Sequence, residues 1–430
     1  MDIATDCHIP TRYLYCEQMT IKTKRIAVLA TLDTKGREAQ YLREQINHFG
    51  HEAILIDTGV VGDPATQAEI TRQQVAQAGG VSLDELLVEP TRERAAPVMA
   101  RGATELVGDL VNKGQVHGLI AMGGTQGTTL ATHVMRSLPY GLPKVMVSTM
   151  ASGNVAPWVD IKDITMMFSV ADILGLNPLT RKILANAAGA VCGAASVEVT
   201  LQASDRTLIA VTTVGITTLG AMKAIDVLEK AGYETIVFHA IGAGGRAMEQ
   251  LMREGVIDGV LDYATIEISN QMYGALLAAD DDRLTTAGKL GLPQVICPGA
   301  IEVLVFGEPE SVPPPFDSRP LIRHSPQITD VRLNQQEMVA VAREVSRRLT
   351  HTQDDAVFLV PTAGFDCYGV VGQDLHDPVA DAAFLETLRE CLPANITILE
   401  KDTHIDDPEF ATEAAQQLIR LVEARLAKSR

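Results

Sequence analysis

The segment AMGGTQGTTLATHVMR, residues 121–136, carries the residue types that hold an anion where a buried strand gives way to a helix. Its small and hydroxyl residues are Gly123, Gly124, Gly127, Thr125, Thr128 and Thr129. The glycines allow a tight turn and a close approach of the backbone, and free N–H groups with the helix dipole favour a phosphate. The segment matches neither GxGxxG nor GxxxxGK[ST]. The alternative is a tight turn with threonine caps and nothing bound.

A second strand–glycine–helix element is HAIGAGGRAMEQL, residues 239–251, with Arg246 near the first helical turn. A guanidinium beside a helix N-terminus suits a carboxylate or a phosphate, because it donates two parallel hydrogen bonds. An ordinary glycine turn, in which Arg246 pairs with Glu249 or Glu267, explains the pattern equally well. Both interpretations stay open on the sequence alone.

A third turn, TLDTKGREA at residues 31–39, places Asp33, Thr34 and Lys35 at the end of the first apolar strand. Open α/β sheets bind ligands at this carboxyl edge. We expect Asp33 to cap the following helix, and Lys35 to contact a phosphate or solvent.

Two later segments also combine polar residue types after a strand. STMASGN, residues 148–154, contributes Ser148, Ser152 and Gly153. DTHIDDPEF, residues 402–410, offers the imidazole of His404 beside two aspartates, a candidate acid/base or metal site. For Asp407 the favoured interpretation is a helix N-cap, because Asp-Pro-Glu is a strong helix-start signal. No Ser-His-Asp order, HExxH or CxxC motif supports a hydrolase or a zinc protease.

These turns must be positioned by alternating strands and helices. Short runs that are apolar on both faces, such as VHGLIAMGG, alternate with amphipathic helices along the whole chain. The pattern predicts an α/β protein of two Rossmann-like, doubly wound domains with largely parallel sheets, in preference to a (β/α)₈ barrel. We expect the domains to span residues 21–200 and 201–430. Residues 1–20 form a loose N-terminal arm in this interpretation, and translation starts at either Met1 or Met19.

The proline-rich stretch GEPESVPPPFDSRPLIRHSP, residues 307–326, interrupts this alternation. Proline prohibits regular structure over most of it, so we expect an irregular excursion of about twenty residues. A surface wrap or oligomer arm and a lid over a cleft are equally good explanations.

Composition excludes several classes of protein. The 430 residues carry a formal net charge of −18, which would repel nucleic acid. No apolar run approaches the ~20 residues needed to cross a membrane. Six cysteines without CxxC spacing, and an N-terminus without a secretory signal, indicate a protein of the reducing cytoplasm with no structural zinc and no disulfide framework.

Three long strings carry a resemblance to a known family: GGTQGTTLATHVMRSLPYGLPKVMVSTMASGN, ITMMFSVADILGLNPLTRKILANAAGA and FHAIGAGGRAMEQLMREGVIDGVLD. They resemble a family of bacterial, fungal and plant proteins whose plant member is the tobamovirus-resistance inhibitor. The family is known mainly as an uncharacterised one with an ATP-binding domain. The resemblance implies two Rossmann-like halves, ATP with accompanying Mg²⁺ in the N-terminal half, and a homodimer.

Transferred to this chain, the resemblance implies a set of nucleotide-binding residues: Asp33, Thr34, Lys35, Gly123, Gly124, Thr125, Gly127, Thr128, Thr129, Ser148, Ser152 and Gly153. In the C-terminal half it implies a second set: Gly242, Gly244, Gly245, Arg246, Glu249, Glu267, His404, Asp407 and Phe410. The chain departs from the family at Glu302, where the usual residue is Asp, at Val305, where it is Asn, and at Asn154. These departures leave the C-terminal ligand open.

Two functions follow from these observations. In the first, the protein is an enzyme that uses Mg-ATP on a small anionic metabolite in a cleft between the domains. Arg246 would anchor the metabolite, and Glu267 or His404 would act as acid or base. In the second, it is a non-catalytic regulatory protein whose binding to partners depends on ATP.

Overall fold

The computed structural model describes residues 22–199 and 206–428, and the chain divides into two compact units, Met1–Leu201 and Gln202–Arg430. Both units are α/β and their main sheets are parallel, which confirms the predicted fold class. The predicted N-terminal arm and both candidate start sites lie outside the described residues. In the part of the chain that is described, no helix is both long enough and apolar enough to cross a membrane.

The N-terminal unit is built on a five-stranded parallel sheet, sheet A, with the strand order β2-β1-β3-β4-β5. Its strands are β1 (Arg25–Ala30), β2 (Glu52–Asp57), β3 (Gly118–Gly123), β4 (Lys144–Ser148) and β5 (Thr165–Phe168). Every residue of β3 and β4 is buried. Strands that are covered on both faces favour apolar residues, which is why β3 reads as a continuous apolar run and β4 is apolar between Lys144 and Ser148.

Helices cover both faces of sheet A. They are α1 (Leu32–His48), α2 (Arg72–Ala78), α3 (Leu83–Val88), α4 (Arg92–Asn112), α5 (Thr125–Ser137), α6 (Ala156–Val159) and α7 (Pro178–Ala195). One core lies under α1 and α7, and the other lies under α2 to α5. Leu42 and Leu184 represent the first core, and Met99 and Val134 the second.

The C-terminal unit has a six-stranded parallel sheet, sheet B, with the order β14-β13-β9-β8-β6-β7. Its strands are β6 (Leu208–Thr213), β7 (Glu234–His239), β8 (Gly259–Ala264), β9 (Gln294–Gly299), β13 (Ala356–Pro361) and β14 (Ile396–Lys401). The helices are α8 (Thr218–Lys230), α9 (Ala243–Arg253), α10 (Ile266–Met272), α11 (Thr286–Lys289), α12 (Gln335–Leu349), α13 (Pro378–Cys391) and α14 (Pro408–Lys428). Helices α8 and α14 cover one face, and α9, α12 and α13 cover the other.

The proline-rich stretch is more regular than the sequence predicts. A small antiparallel sheet is formed by β10 (Val303–Phe306), β11 (Leu321–Ser325) and β12 (Ile328–Arg332), in the order β10-β12-β11. The expectation of an irregular excursion over residues 307–326 was therefore wrong for Leu321–Ser325, which form β11. Pro320 immediately precedes β11, and β11 is an edge strand, so no proline removes a donor from the ladder.

Both main sheets are open and wound in the same way. In each unit the first strand lies between the second and the third, because β1 pairs with β2 and β3, and β6 pairs with β7 and β8. The chain therefore reverses its winding direction at β1/β3 in sheet A and at β6/β8 in sheet B. Ligands of open α/β sheets bind outside the carboxyl ends of the strands at such a reversal.

Candidate functional site

A pocket of 550 Å³ opens at the carboxyl edge of sheet A, at the reversal between β1 and β3. We call it the switch-point pocket. It is lined by residues from the end of β1 and the turn after it, from the loop after β2, from the start of α4, and from the end of β3 and the start of α5. Seven of the predicted nucleotide-binding residues line it: Asp33, Thr34, Lys35, Gly123, Gly124, Thr125 and Gly127. The sequence does not predict the segments after β2 and before α4, although Thr58-Gly59 follows the apolar strand β2 in the same way.

The glycines at the start of α5 have different roles. A Cβ on Gly123 would lie 2.9 Å from the Cα of Gly127, so these two glycines let the strand and the helix pack closely. Gly124 is the N-cap of α5, and no side chain caps that terminus. The nearest atom to a Cβ on Gly124 would be the Thr149 hydroxyl at 3.7 Å, and Gly124 faces the pocket. The terminus therefore presents backbone to a ligand, as the sequence predicts for a phosphate site.

Two predicted ligand residues, Thr128 and Ser148, connect the elements next to the pocket instead of lining it. The hydroxyls of Thr128 and Ser148 are 2.7 Å apart, and both residues are completely buried. The bond joins α5 to the end of β4, and the Ser148 hydroxyl also accepts a hydrogen bond from the Met150 N–H at 3.0 Å. Neither hydroxyl reaches the pocket, so their geometry favours a positioning role over contact with a nucleotide.

Three further predicted residues do not line the switch-point pocket. Ser152 and Gly153 are exposed in the loop after β4. Thr129 accepts a hydrogen bond from the indole N–H of Trp158 at 3.3 Å. It lines a neighbouring, largely apolar pocket of 540 Å³ between α4 and α5, together with Leu130 and His133.

The turn after β1 differs from its predicted geometry. Asp33 does not cap α1: the N-cap is Thr31, which makes no side-chain cap bond, and the Leu32 N–H donates to Asp57 Oδ1 at 3.0 Å. Asp33 Oδ1 is buried and has no hydrogen-bond partner. The Lys35 ammonium donates to the carbonyl of Ile173 while the residue still lines the pocket. The capping prediction for Asp33 was wrong because the more deeply buried Asp57 takes the helix N–H.

The glycine turn of the C-terminal unit is filled by a side chain of the protein itself. Glu267 is completely buried, and its Oε1 accepts hydrogen bonds from the N–H groups of Gly242 at 2.6 Å and Gly245 at 3.1 Å. A Cβ on Gly245 would lie 2.2 Å from Glu267 Oε2, and a Cβ on Gly244 would lie 1.8 Å from the His239 carbonyl oxygen. An internal carboxylate thus stands where the sequence suggested an external anion.

The buried partner of that carboxylate is Arg283, which the sequence did not indicate. Its Nε donates to Glu267 Oε2 at 2.6 Å, and its Nη2 donates to Asp262 Oδ1 at 2.5 Å. Glu249 Oε1 lies 3.9 Å from Arg283 Nη1 and accepts the Leu284 N–H at 3.0 Å. All four side chains are almost fully buried. We call this group the Arg283 cluster; it sets three carboxyl groups against one guanidinium.

The Arg283 cluster has more carboxyl groups than guanidinium groups, and Glu249 is the carboxyl group whose pKa is raised. Burial raises the pKa of Glu249 to about 7, an increase that the neighbouring Arg283 only partly opposes. Its Oε2 is buried and has no hydrogen-bond partner. Thr212 adds a hydrogen bond from an uncharged group: its hydroxyl donates to Asp262 Oδ1 at 2.8 Å and joins β6 to β8.

The predicted acid/base segment after β14 is mainly a structural loop. Asp406 accepts the Gly220 N–H at 2.8 Å near the start of α8. Asp407 Oδ1 accepts the Glu409 N–H at 2.8 Å at the start of α14, which confirms the predicted N-cap. Phe410 is completely buried and packs edge-on against Tyr263. His404 and Arg246, predicted for catalysis, are half-buried. Over residues 22–199 and 206–428, no group of three or more His, Cys, Asp or Glu side chains could hold a metal ion.

Two of the three family departures, Val305 and Glu302, lie in the C-terminal unit and have separate environments. Val305 lies in β10, its side chain is buried, and its N–H donates to Asn270 Oδ1 at 3.0 Å. Glu302 is completely buried, with Arg332 Nη1 3.7 Å from its Oε1, and neither of its oxygens has a hydrogen-bond partner. Burial, reinforced by the charge of Asp366, raises the pKa of Glu302 well above its ordinary value.

Comparison with known protein families gives two adjoining matches. Residues 24–200 match the N-terminal domain of the uncharacterised protein family UPF0261, and residues 206–422 match its C-terminal domain. A UPF0261 protein from Clostridium tetani is 39% identical over 93% of this chain and 99% of its own length. The tomato (Solanum lycopersicum) ToMV resistance protein Tm-1(GCR237) is 30% identical over 92% of this chain and 56% of its own length. The solved structure of the glycosyltransferase SnogD from Streptomyces nogalater covers 93% of this chain and all of its own, with 14% identity and a TM-score of 0.21, too low to bear on function.

Proposed function

Because the chain belongs to the uncharacterised protein family UPF0261, whose description assigns no activity, we propose its function from geometry: the N-terminal unit binds ATP in the switch-point pocket. The observation that carries this proposal is the uncapped N-terminus of α5, which opens through Gly124 into a 550 Å³ pocket. The pocket has the size of ordinary small-molecule sites and lies where doubly wound sheets bind nucleotides.

Local charge supports an anionic ligand although the chain as a whole is acidic. Lys35 and Arg92 contribute cations to the lining, and the positive end of the α5 dipole adds to them. With a net charge of −18, the protein cannot attract a triphosphate by its overall field. The attraction must therefore come from these groups and from the backbone N–H groups at the start of α5.

Calorimetry of the full chain with ATP and Mg²⁺ tests the proposal, with Gly124→Val as the decisive variant. At this position a Cβ would make only an ordinary contact, 3.7 Å from the Thr149 hydroxyl, so we expect the fold to survive and ATP binding to be lost. Gly153→Val is the matched control, because that exposed glycine also has open space, with its nearest atom 4.0 Å away, and does not line the pocket. Loss of binding in the control alone would move the site to the loop after β4. No ATP binding at millimolar concentration would refute the proposal.

Turnover separates an enzyme from a non-catalytic nucleotide-binding protein. We propose an enzyme that acts on a small anionic metabolite, with Arg246 in the C-terminal unit as the anchor of that metabolite and His404 as the acid or base. The contacts of Glu267 favour its holding the glycine turn rather than exchanging protons with a substrate. Formation of ADP or AMP that depends on a second small molecule and disappears in Arg246→Ala would support this part; ATP binding without turnover would favour the non-catalytic alternative. A cytoplasmic homodimer stays a prediction, and light scattering of the full chain tests the oligomeric state.

A further inference from the structure

Asp33 is a carboxylate in the proposed ATP pocket without a structural task of its own. It lines the switch-point pocket, yet the N–H of Leu32 is taken by Asp57 rather than by Asp33. Its Oδ1 is buried and makes no hydrogen bond. Buried polar atoms are nearly always paired, so an unpaired carboxylate oxygen requires an explanation such as an ion or a water molecule.

The chain is shaped to approach this carboxylate closely. A Cβ on Gly59 would lie 3.1 Å from Asp33 Oδ1 and equally far from Asp57 Oδ1. Gly62 adopts a φ of +72°, and a Cβ there would lie 3.3 Å from the Asp33 Cβ. The two glycines therefore form a narrow cradle around the Asp33 side chain, in which other residues would be crowded or strained.

Asp57 has a different role from Asp33, although the two carboxylates are close together. Asp57 Oδ1 accepts the N–H groups of Leu32 at 3.0 Å and Gly59 at 2.8 Å, and the residue is buried. These bonds fix the turn after β1 and the loop after β2 in relation to each other. Asp57 is thus a positioning residue, and Asp33 is the one carboxylate among the described residues that line the pocket.

Charge determines what the Asp33 carboxylate can hold. A triphosphate in the same pocket would be repelled by a carboxylate unless a cation lay between them. Mg²⁺ is commonly held by one or two carboxylates together with phosphate oxygens, and it keeps several water ligands, so it needs no protein cage of three or more side chains. A single carboxylate beside the phosphate-binding terminus of α5 fits this requirement.

We propose that Asp33 holds the divalent cation that accompanies the nucleotide. This inference rests on the proposed ATP site and adds a specific task to one of its residues. When bound, the cation would neutralise the charge of the phosphate oxygens, and Asp33 would fix its position at the carboxyl end of β1. Gly59 and Gly62 leave room for this carboxylate, and Asp57 fixes the turn after β1 that carries it.

The test is calorimetric titration of the full chain with ATP, once with Mg²⁺ and once with EDTA. For the wild-type chain we expect affinity to rise roughly tenfold or more with Mg²⁺. Asp33→Asn should abolish that difference while keeping or improving metal-free binding, because it removes a negative charge at nearly constant shape. Asp63→Asn, which changes an exposed aspartate of the loop after β2 that does not line the pocket, should behave like wild type.

Each result has one meaning. Preserved metal-free binding by Asp33→Asn shows that the variant is folded, and its loss of the Mg²⁺ effect supports the inference. If wild type binds ATP equally well with Mg²⁺ and EDTA, or if Asp33→Asn retains the Mg²⁺ effect, the inference is overturned and the ATP site stands. If Asp33→Asn binds ATP in neither condition, Asp33 acts otherwise and the inference is overturned. If the wild-type chain binds no ATP at all, both proposals fail.

Discussion

Replacing Glu249 by Gln should change how the stability of the C-terminal unit depends on pH. Glu249 is the third carboxyl group around the single guanidinium of Arg283, and burial raises its pKa to about 7 from an ordinary value of 4.5. The folded state therefore binds this proton more tightly than the unfolded state does. The resulting stabilisation is fully present below pH 4.5 and is lost as the pH rises through about 7.

The size of the effect follows from the two pKa values. A pKa difference of about 2.5 corresponds to about 3 kcal/mol, at 1.36 kcal/mol for each pKa unit. Between pH 5 and pH 7.5, the wild-type free energy of unfolding should fall by about 2 kcal/mol relative to Glu249→Gln. Glutamine keeps the shape and still accepts the Leu284 N–H but cannot ionise, so the variant lacks this part of the pH dependence.

Urea unfolding of the full chain at several pH values is the appropriate assay. Far-UV circular dichroism follows the unfolding transition. Hydrogen–deuterium exchange of peptides from β6 and β8, measured by mass spectrometry, assigns the transition to the C-terminal unit. The matched control is Glu390→Gln, which changes an exposed carboxyl group near the end of α13 and should leave the pH profile like that of wild type. If wild type and Glu249→Gln show parallel pH profiles, the Glu249 carboxyl is ionised and balanced in the folded protein, and the reasoning from three carboxyls and one guanidinium is refuted.

Two further changes test the packing of the candidate sites. Thr128→Val should destabilise the N-terminal unit by about 1–3 kcal/mol, because the buried Ser148 hydroxyl loses its side-chain partner and keeps only the Met150 N–H; urea unfolding followed by the fluorescence of Trp158 measures this, and an unchanged midpoint would contradict the bond. Gly245→Ala should destabilise the C-terminal unit by about 1–3 kcal/mol or more, because the new methyl group overlaps the Glu267 carboxylate; a thermal scan that matches wild type would show that this glycine serves another purpose.

The elements that sequence predicts well are those in which local pattern and burial agree. The run GLIAMG of β3 is apolar throughout because both faces of sheet A are covered, and the Gly124 turn has the residue types that a helix N-terminus near a ligand requires. Asp407 was predicted correctly because a helix cap depends on its own neighbours in the chain.

The side chains whose contacts the sequence does not predict are those that bind residues far away in the chain. Thr128 faces Ser148 only because α5 packs on β4, and nothing in a threonine-rich turn distinguishes a buried hydroxyl from an exposed one. Arg283 gathers carboxylates from α9, β8 and α10, which no local spacing reveals. Asp33 was predicted as the cap of α1 because the residue that accepts the Leu32 N–H, Asp57, lies on another strand.

The strand order described for both units has a consequence for synthesis on the ribosome. In sheet A each strand from β3 onward pairs with an edge that is already present when it emerges, first beside β1 and then beside each newest strand. Sheet B grows in the same direction, through β8, β9, β13 and β14. No strand has to be inserted between two that are already paired. Synthesis adds roughly 5–20 residues per second, so each sheet can extend in the order of translation. One edge of the sheet is then complete from the start, and each new strand pairs with the other edge.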